Sequence, residues 1–199
     1  MKPQSFIFIG RAGAGKGTQA KLLEAKLKSI HDRTVLHIET GALLRVFNQG
    51  EGYAARQAKI TMEQGLLMPE FMPVYMWAKF LVEQFSGAEH LIFDGTPRKL
   101  LEAELLNSTF PFYNLDKPFV VYLDIEHEES AKRLLLRAKE GRKDDTPEAI
   151  ERRQIAFEQE VLPVVEWYRT NPSATFLDID GHGSIEEVHA RIVKAVGLS

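Results

Sequence analysis

Five short apolar runs punctuate the chain: Phe6 to Ile9, Val35 to Ile38, Leu91 to Phe93, Phe119 to Leu123 and Thr175 to Leu177. They are rich in β-branched and aromatic residues, and several are nearly unbroken, as strands buried on both faces are. Between them the apolar positions change period. Ala20, Leu23 and Leu27 repeat at three and four, as do Leu134, Leu135 and Ala138, and later Ile185, Val188, Ile192 and Val196. That spacing predicts amphipathic helices. Strands alternating with helices predict an α/β fold: a five-stranded parallel sheet in a three-layer α/β/α arrangement.

Two stretches exceed a minimal alternation. Thr40 to Gly87 carries several helical pieces, broken at Gly50, Gly52, Gly65 and Pro69, before the third strand arrives. It reads as a small helical insertion. Arg137 to Pro147, RAKEGRKDDTP, is dense in charge around one glycine and reads as an exposed flap. A further helical stretch follows it, ending near Arg169.

Composition narrows the class without choosing it. With 199 residues and 44% hydrophobic positions, the chain can fill one globular core and not a second full domain. Cysteine is absent, which excludes disulfides, a thiol nucleophile and a thiolate-built zinc site. A formal net charge of -3 is too mild to indicate a nucleic-acid binder. The opening MKPQSFIFIG has an apolar core that breaks after four residues, so it predicts neither a signal peptide nor a membrane span. A cytoplasmic protein is expected.

The densest chemistry follows the first strand, in GRAGAGKGTQA at residues 10–20. Glycines at 10, 13, 15 and 17 let backbone N–H groups converge where a Cβ would obstruct them. A helix starting near Lys16 adds its free N–H groups and positive dipole end. Such a nest suits the phosphates of a nucleotide, with Lys16 reaching the outer oxygens as a point charge. The simple phosphate-loop pattern fails at its last position, where Gly17 stands. Thr18 then supplies the hydroxyl near Mg²⁺. Further on, Asp94 closes the run LIFDGTPR at the carboxyl end of a strand, where open α/β sheets bind ligands. It is expected to hold Mg²⁺ through water. Pro97 fixes the chain that presents Arg98.

Arginines gather at Arg133, Arg137, Arg142, Arg152 and Arg153. Arg133 and Arg137 are four apart and share one helix face. Planar donors suit the equatorial oxygens of a phosphoryl group in flight between two nucleotides. The competing reading pairs these arginines with Glu140, Asp144, Asp145 and Glu151 on a wet surface.

Together GRAGAGKGTQA, ETGALLR, EQGLL, DGTPR, RLLLR, GRKDD and the closing DIDG resemble the adenylate kinase group of nucleoside monophosphate kinases, in one order over nearly the whole chain. The resemblance implies a single phosphate-loop kinase domain spanning 1–199. Within it, residues 39–68 would form the monophosphate-binding insertion and 137–147 a short lid. It implies that Gly13, Ala14, Gly15, Lys16, Gly17 and Thr18 wrap the phosphates of ATP. Lys16 and Arg98 would contact phosphates on either side of the transfer. Thr40, Arg45, the backbone at Leu66, Leu67 and Met68, and Gly95 with Arg98 resemble the acceptor pocket. Arg133 resembles the residue that stacks on the donor adenine, and Gly181 to Gly183 the backbone beside that base. Arg137, Arg142 and Arg153 resemble the lid arginines. The implied protein is a monomer acting on ATP, Mg²⁺ and a free monophosphate, with no nucleic-acid or membrane partner.

Four positions depart from the family: Ala12 where proline is common, Ala42 where it has aspartate, Thr96 where it has phenylalanine, and Glu102 where adenylate kinases place glutamine. An ionised glutamate only accepts hydrogen bonds. It would meet N1 of adenine with repulsion, yet find two donors on guanine, N1–H and the 2-amino group. That favours GMP, whereas Thr40 and the whole-chain likeness favour AMP. The expected reaction is ATP + AMP = 2 ADP, with another monophosphate such as GMP, or a non-catalytic nucleotide-binding module, as the alternatives.

Overall fold

The computed structural model describes residues 2–139, 141 and 145–198. Strand β1 (Ser5–Gly10) leads into helix α1 (Lys16–Ile30), and β2 (Val35–Glu39) into α2 (Thr40–Phe47), α3 (Tyr53–Glu63) and α4 (Phe71–Gln84). Then come β3 (His90–Asp94), α5 (Leu100–Phe112), β4 (Phe119–Asp124) and α6 (His127–Lys139). Helix α7 (Pro147–Ala156) runs through a π-helical turn (Phe157–Val161) into α8 (Leu162–Thr170); β5 (Thr175–Asp180) and α9 (Ile185–Ala195) close the chain.

The strands form one sheet in the order β2-β3-β1-β4-β5, every neighbouring pair parallel. This is the expected three-layer phosphate-loop fold. Successive side chains of β1 feed opposite layers: Phe6 and Phe8 pack with Leu23, Leu27, Val188 and Ile192 of α1 and α9. Ile7 and Ile9 pack with Trp77, Leu106, Val164 and Tyr168 of α4, α5 and α8. A strand buried on both sides must be apolar throughout, which is why FIFI is unbroken. Parallel pairing also carries every strand's carboxyl end to one edge, and β1 ends there between β3 and β4.

The helical periods were partly misread. Leu134 is fully buried, but Leu135 is 46% exposed, and Ile185 stands 52% exposed at the start of α9. Ile185 follows the capping box of Ser184 and Glu187, so its backbone is set by the cap and its side chain is left outside. The breaks in the insertion fall where glycine and proline put them, at 50, 52, 65 and 69, between α2, α3 and α4. Residues 140 and 142–144 of the expected short lid lie outside the described residues.

Candidate nucleotide site

A cavity of about 590 Å³ opens at the carboxyl edge of the sheet. Its floor is the loop between β1 and α1. Gly13 and Gly15 hold φ of 81° and 91°, a left-handed backbone that glycine adopts without strain. Helix α1 begins at Lys16, as expected, so its first amides open toward the loop. Gly17 has a local explanation: a Cβ there would stand 3.0 Å from Asp94 Oδ2. The carboxylate occupies the space a Ser or Thr side chain would need. Thr18, one place later, is exposed and lines the cavity.

Lys16 Nζ donates to the carbonyls of Gly10 and Arg11, both at 2.8 Å, so the ammonium is tied back onto its own loop. Burial lowers its pKa to about 8; Arg98 and Arg137 add to the fall and Asp94 opposes it. Asp94 itself is 7% exposed. Burial raises its pKa, Lys16 opposes the rise, Glu39 adds to it, and His37 and Arg98 oppose it more weakly. A dry carboxylate favours cations beside it, and Lys16, His37 and Arg98 already act in that direction.

Arg98 donates from Nε to the Gly95 carbonyl at 2.9 Å, and burial holds its guanidinium below its ordinary pKa. From the other side come Arg137 on α6 and Arg153 on α7, which line the same cavity. Both are held by Asp145: Arg137 at two points, 2.6 and 3.0 Å, and Arg153 through Nη1. The Asp145 side chain is 0% exposed. The wet-surface reading therefore fails for this residue, which is a buried hub between two arginines. The pairing of arginines with Asp145 is as the competing reading had it; the burial is not, because a charged run looks solvated whatever packs over it. Arg142 lies outside the described residues.

The other expected residues divide. Thr40, Arg45, Leu66, Leu67, Met68, Gly95 and Glu102 line the far end of the cavity, and Arg133 lines it beside the loop. Thr40 is 1% exposed and its Oγ1 is buried without a partner among the described residues, an orphaned polar atom next to open space. Arg45 is paired with Glu39 at 2.6 Å. Glu102 is 2% exposed: Oε2 accepts from the Arg98 amide at 2.8 Å and the Thr96 hydroxyl at 3.3 Å. Burial raises its pKa, against the pull of Arg98 and Thr96. Arg133 bonds Glu129 and the Gly181 carbonyl.

Two expected residues stand off. Ala14 packs its methyl into the α1–α9 core and spends its amide on the Arg11 carbonyl, because the loop must close its own turn there. Gly183 is not part of the cavity wall; it sits against Glu187 and Arg191 at the start of α9. Lys21 and Glu39 do line the cavity and were missed. Both belong to otherwise unremarkable polar positions, and only the sheet topology brings them in.

A parallel sheet with a glycine-rich loop cradling a cavity at its carboxyl edge defines a phosphate-loop protein. The adenylate kinase family model matches residues 8–173. The adenylate kinase of Leptospira biflexa (strain Patoc 1 / Paris) is 35% identical over 191 residues, covering 96% of this chain and 98% of that protein. Those of Stenotrophomonas maltophilia (strain K279a) and Thermosynechococcus vestitus are each 34% identical, covering 96% of this chain and 97% and 96% of theirs. This chain belongs to the adenylate kinase family.

Proposed function

We propose that the protein transfers the γ-phosphoryl group of ATP to AMP, giving two ADP. The observation that carries this reading is that Lys16, Arg98, Arg137 and Arg153 line one cavity between the glycine loop and the Thr40–Met68 pocket. A hydrolase needs one such cation and a positioned water. Four cations around one crevice suit a transition state that carries the charge of two phosphate chains.

In this reading the amides of Gly13 and of Gly15 to Thr18, with the Lys16 ammonium, orient the donor phosphates. Arg98 bridges toward the acceptor phosphate, and Arg45 exchanges Glu39 for that phosphate. Thr40, whose hydroxyl is orphaned, and Glu102 face the acceptor base. Arg137 and Arg153 neutralise the equatorial oxygens as charge spreads over them. Among the described residues no three His, Asp or Glu side chains gather as a metal cage. Asp94 and Thr18 would instead hold Mg²⁺ through water, where the ion neutralises phosphate charge. Donor and acceptor contacts come from one crevice, so the transfer we propose is direct and in line.

We also infer a cytoplasmic monomer acting on free nucleotides. No described helix is long and apolar enough to cross a membrane. The test is to incubate purified protein with Mg-ATP and each nucleoside monophosphate, reading diphosphate formation. AMP should yield ADP with inversion at phosphorus. ATP consumption that no acceptor accelerates would overturn the reading.

A further inference from the structure

Behind the glycine loop, away from the cavity, two buried polar side chains face each other across α6 and α7. Ser130 is 0% exposed and Gln154 3% exposed. Gln154 Oε1 accepts from Arg11 Nη1 at 3.2 Å, and its Nε2 donates to Ser130 Oγ at 2.6 Å. Ser130 Oγ in turn donates to the Ala12 carbonyl at 2.7 Å. Arg11 is further fixed by Glu158 and by the Phe157 ring, 4.2 Å below its guanidinium.

The direction of this chain follows from chemistry. A guanidinium only donates, so the amide atom facing it must be oxygen. The amide nitrogen then faces the serine, whose single proton is left for the carbonyl. The chain therefore starts and ends on adjacent residues of the loop.

We propose that Ser130 and Gln154 are positioning residues that set the orientation of the Ala12–Gly13 peptide, and through it the phosphate-binding face of the loop. This rests on the reading of the cavity as an ATP site. In a planar trans peptide the C=O and N–H point in opposite directions. Holding the Ala12 carbonyl on α6 therefore turns the Gly13 amide away from α6, toward the cavity that Gly13 lines. Gly13 packs closely enough on α6 that a Cβ would stand 3.0 Å from the Ser130 carbonyl. Glycine resists a peptide flip only weakly. Without the serine proton, the same peptide can turn its carbonyl oxygen toward the phosphates, which repel it. Ala12 does not fix φ as a proline would, so the turn relies on the hydrogen-bonded chain.

The test uses ATP and AMP affinities measured by titration calorimetry, which needs no turnover, together with thermal unfolding. Ser130→Ala should weaken ATP binding by about tenfold, the cost of one buried acceptor left unpaired, and leave AMP binding within about twofold. Gln154→Glu separates loop positioning from simple packing. Its carboxylate keeps the Arg11 contact but can only accept, so it takes the Ser130 proton from the Ala12 carbonyl. It should lose ATP affinity as Ser130→Ala does, without a fall in Tm. Wild-type ATP affinity in both variants would overturn the proposal. So would an equal loss for both nucleotides accompanied by a lower Tm. If the wild-type protein made no ADP while Ser130→Ala still lost ATP binding, the kinase reading would fall and this inference would stand.

Discussion

Asp145 grips Arg137 at two points, Nε to Oδ2 at 2.6 Å and Nη2 to Oδ1 at 3.0 Å, and the same carboxylate also binds Arg153. One fully buried anion thus spaces two cations that line the cavity. Removing it leaves guanidiniums facing each other with their shared counter-charge gone. Asp145→Ala should cost about 3 kcal/mol of stability, the low end for breaking a buried pair because Arg137 is itself partly exposed. It should also lower kcat by on the order of a hundredfold, since misplaced donors stabilise the transition state poorly. Chemical denaturation and steady-state rates check the two halves separately. A variant with wild-type stability would remove Asp145 from its place as hub.

Lys16 gives a pH prediction with a definite sign. Its pKa of about 8 in the unligated site is depressed mainly by burial. The charged form binds triphosphate, so affinity for ATP should fall as pH rises through 8. Phosphate charge restores the proton, so binding at pH 8 to 9 should be accompanied by proton uptake. Calorimetry in buffers of different ionisation enthalpy reads that uptake directly. Lys16→Met should abolish it, and an uptake that survives the substitution would assign the proton elsewhere.

What could be read from sequence follows burial. β1 and β4 were legible because strands covered on both faces are apolar at every position. β5 was legible only to Leu177 although it runs to Asp180, since it is an edge strand and its last residues alternate toward water. The glycine loop was legible because its chemistry is local: strand, turn and helix start are contiguous. Asp145, Ser130 and Gln154 were not. Each is a polar residue on or beside an amphipathic helix, where the default is solvent. Only the packing of α6, α7 and the loop against one another buries them. Glu102 lies between these cases: its position was legible, but its bonds to Thr96 and the Arg98 amide were not.

Gly65 presses the end of α3 against α7. It holds φ of 71°, and a Cβ would stand 2.8 Å from the Ala149 carbonyl. The neighbouring Gln64 carbonyl accepts from Arg152. Gly65→Ala must therefore separate the insertion from α7 or strain the backbone by about 1–3 kcal/mol. We expect kcat/KM for AMP to fall by about tenfold or more, with ATP affinity in the absence of AMP nearly unchanged. Adding Ala149→Gly removes the methyl part of the clash and should restore part of the loss. A Gly65→Ala enzyme with wild-type kcat/KM would mean that this contact has no part in assembling the site.

Glu102 is expected to decide what the acceptor pocket prefers. Its Oε2 is engaged by the Arg98 amide and the Thr96 hydroxyl, which leaves Oε1 to meet a base. Burial raises its pKa, so the neutral acid persists to higher pH than in water. As the acid, Oε1–H can donate to N1 of adenine; as the carboxylate, it can only accept, which suits the N1–H and 2-amino group of guanine. AMP turnover should therefore fall, relative to GMP turnover, as pH rises through that raised pKa. Glu102→Gln supplies a permanent donor and should raise kcat/KM for AMP over GMP while flattening the pH dependence of the ratio. Thr96→Val removes a bond that favours the ionised form, so it should move the transition to higher pH without abolishing it. The AMP:GMP ratio measured for the three proteins across pH tests all of this together. A ratio unchanged by pH and by Glu102→Gln would place the base beyond reach of this side chain, leaving Thr40 to select it.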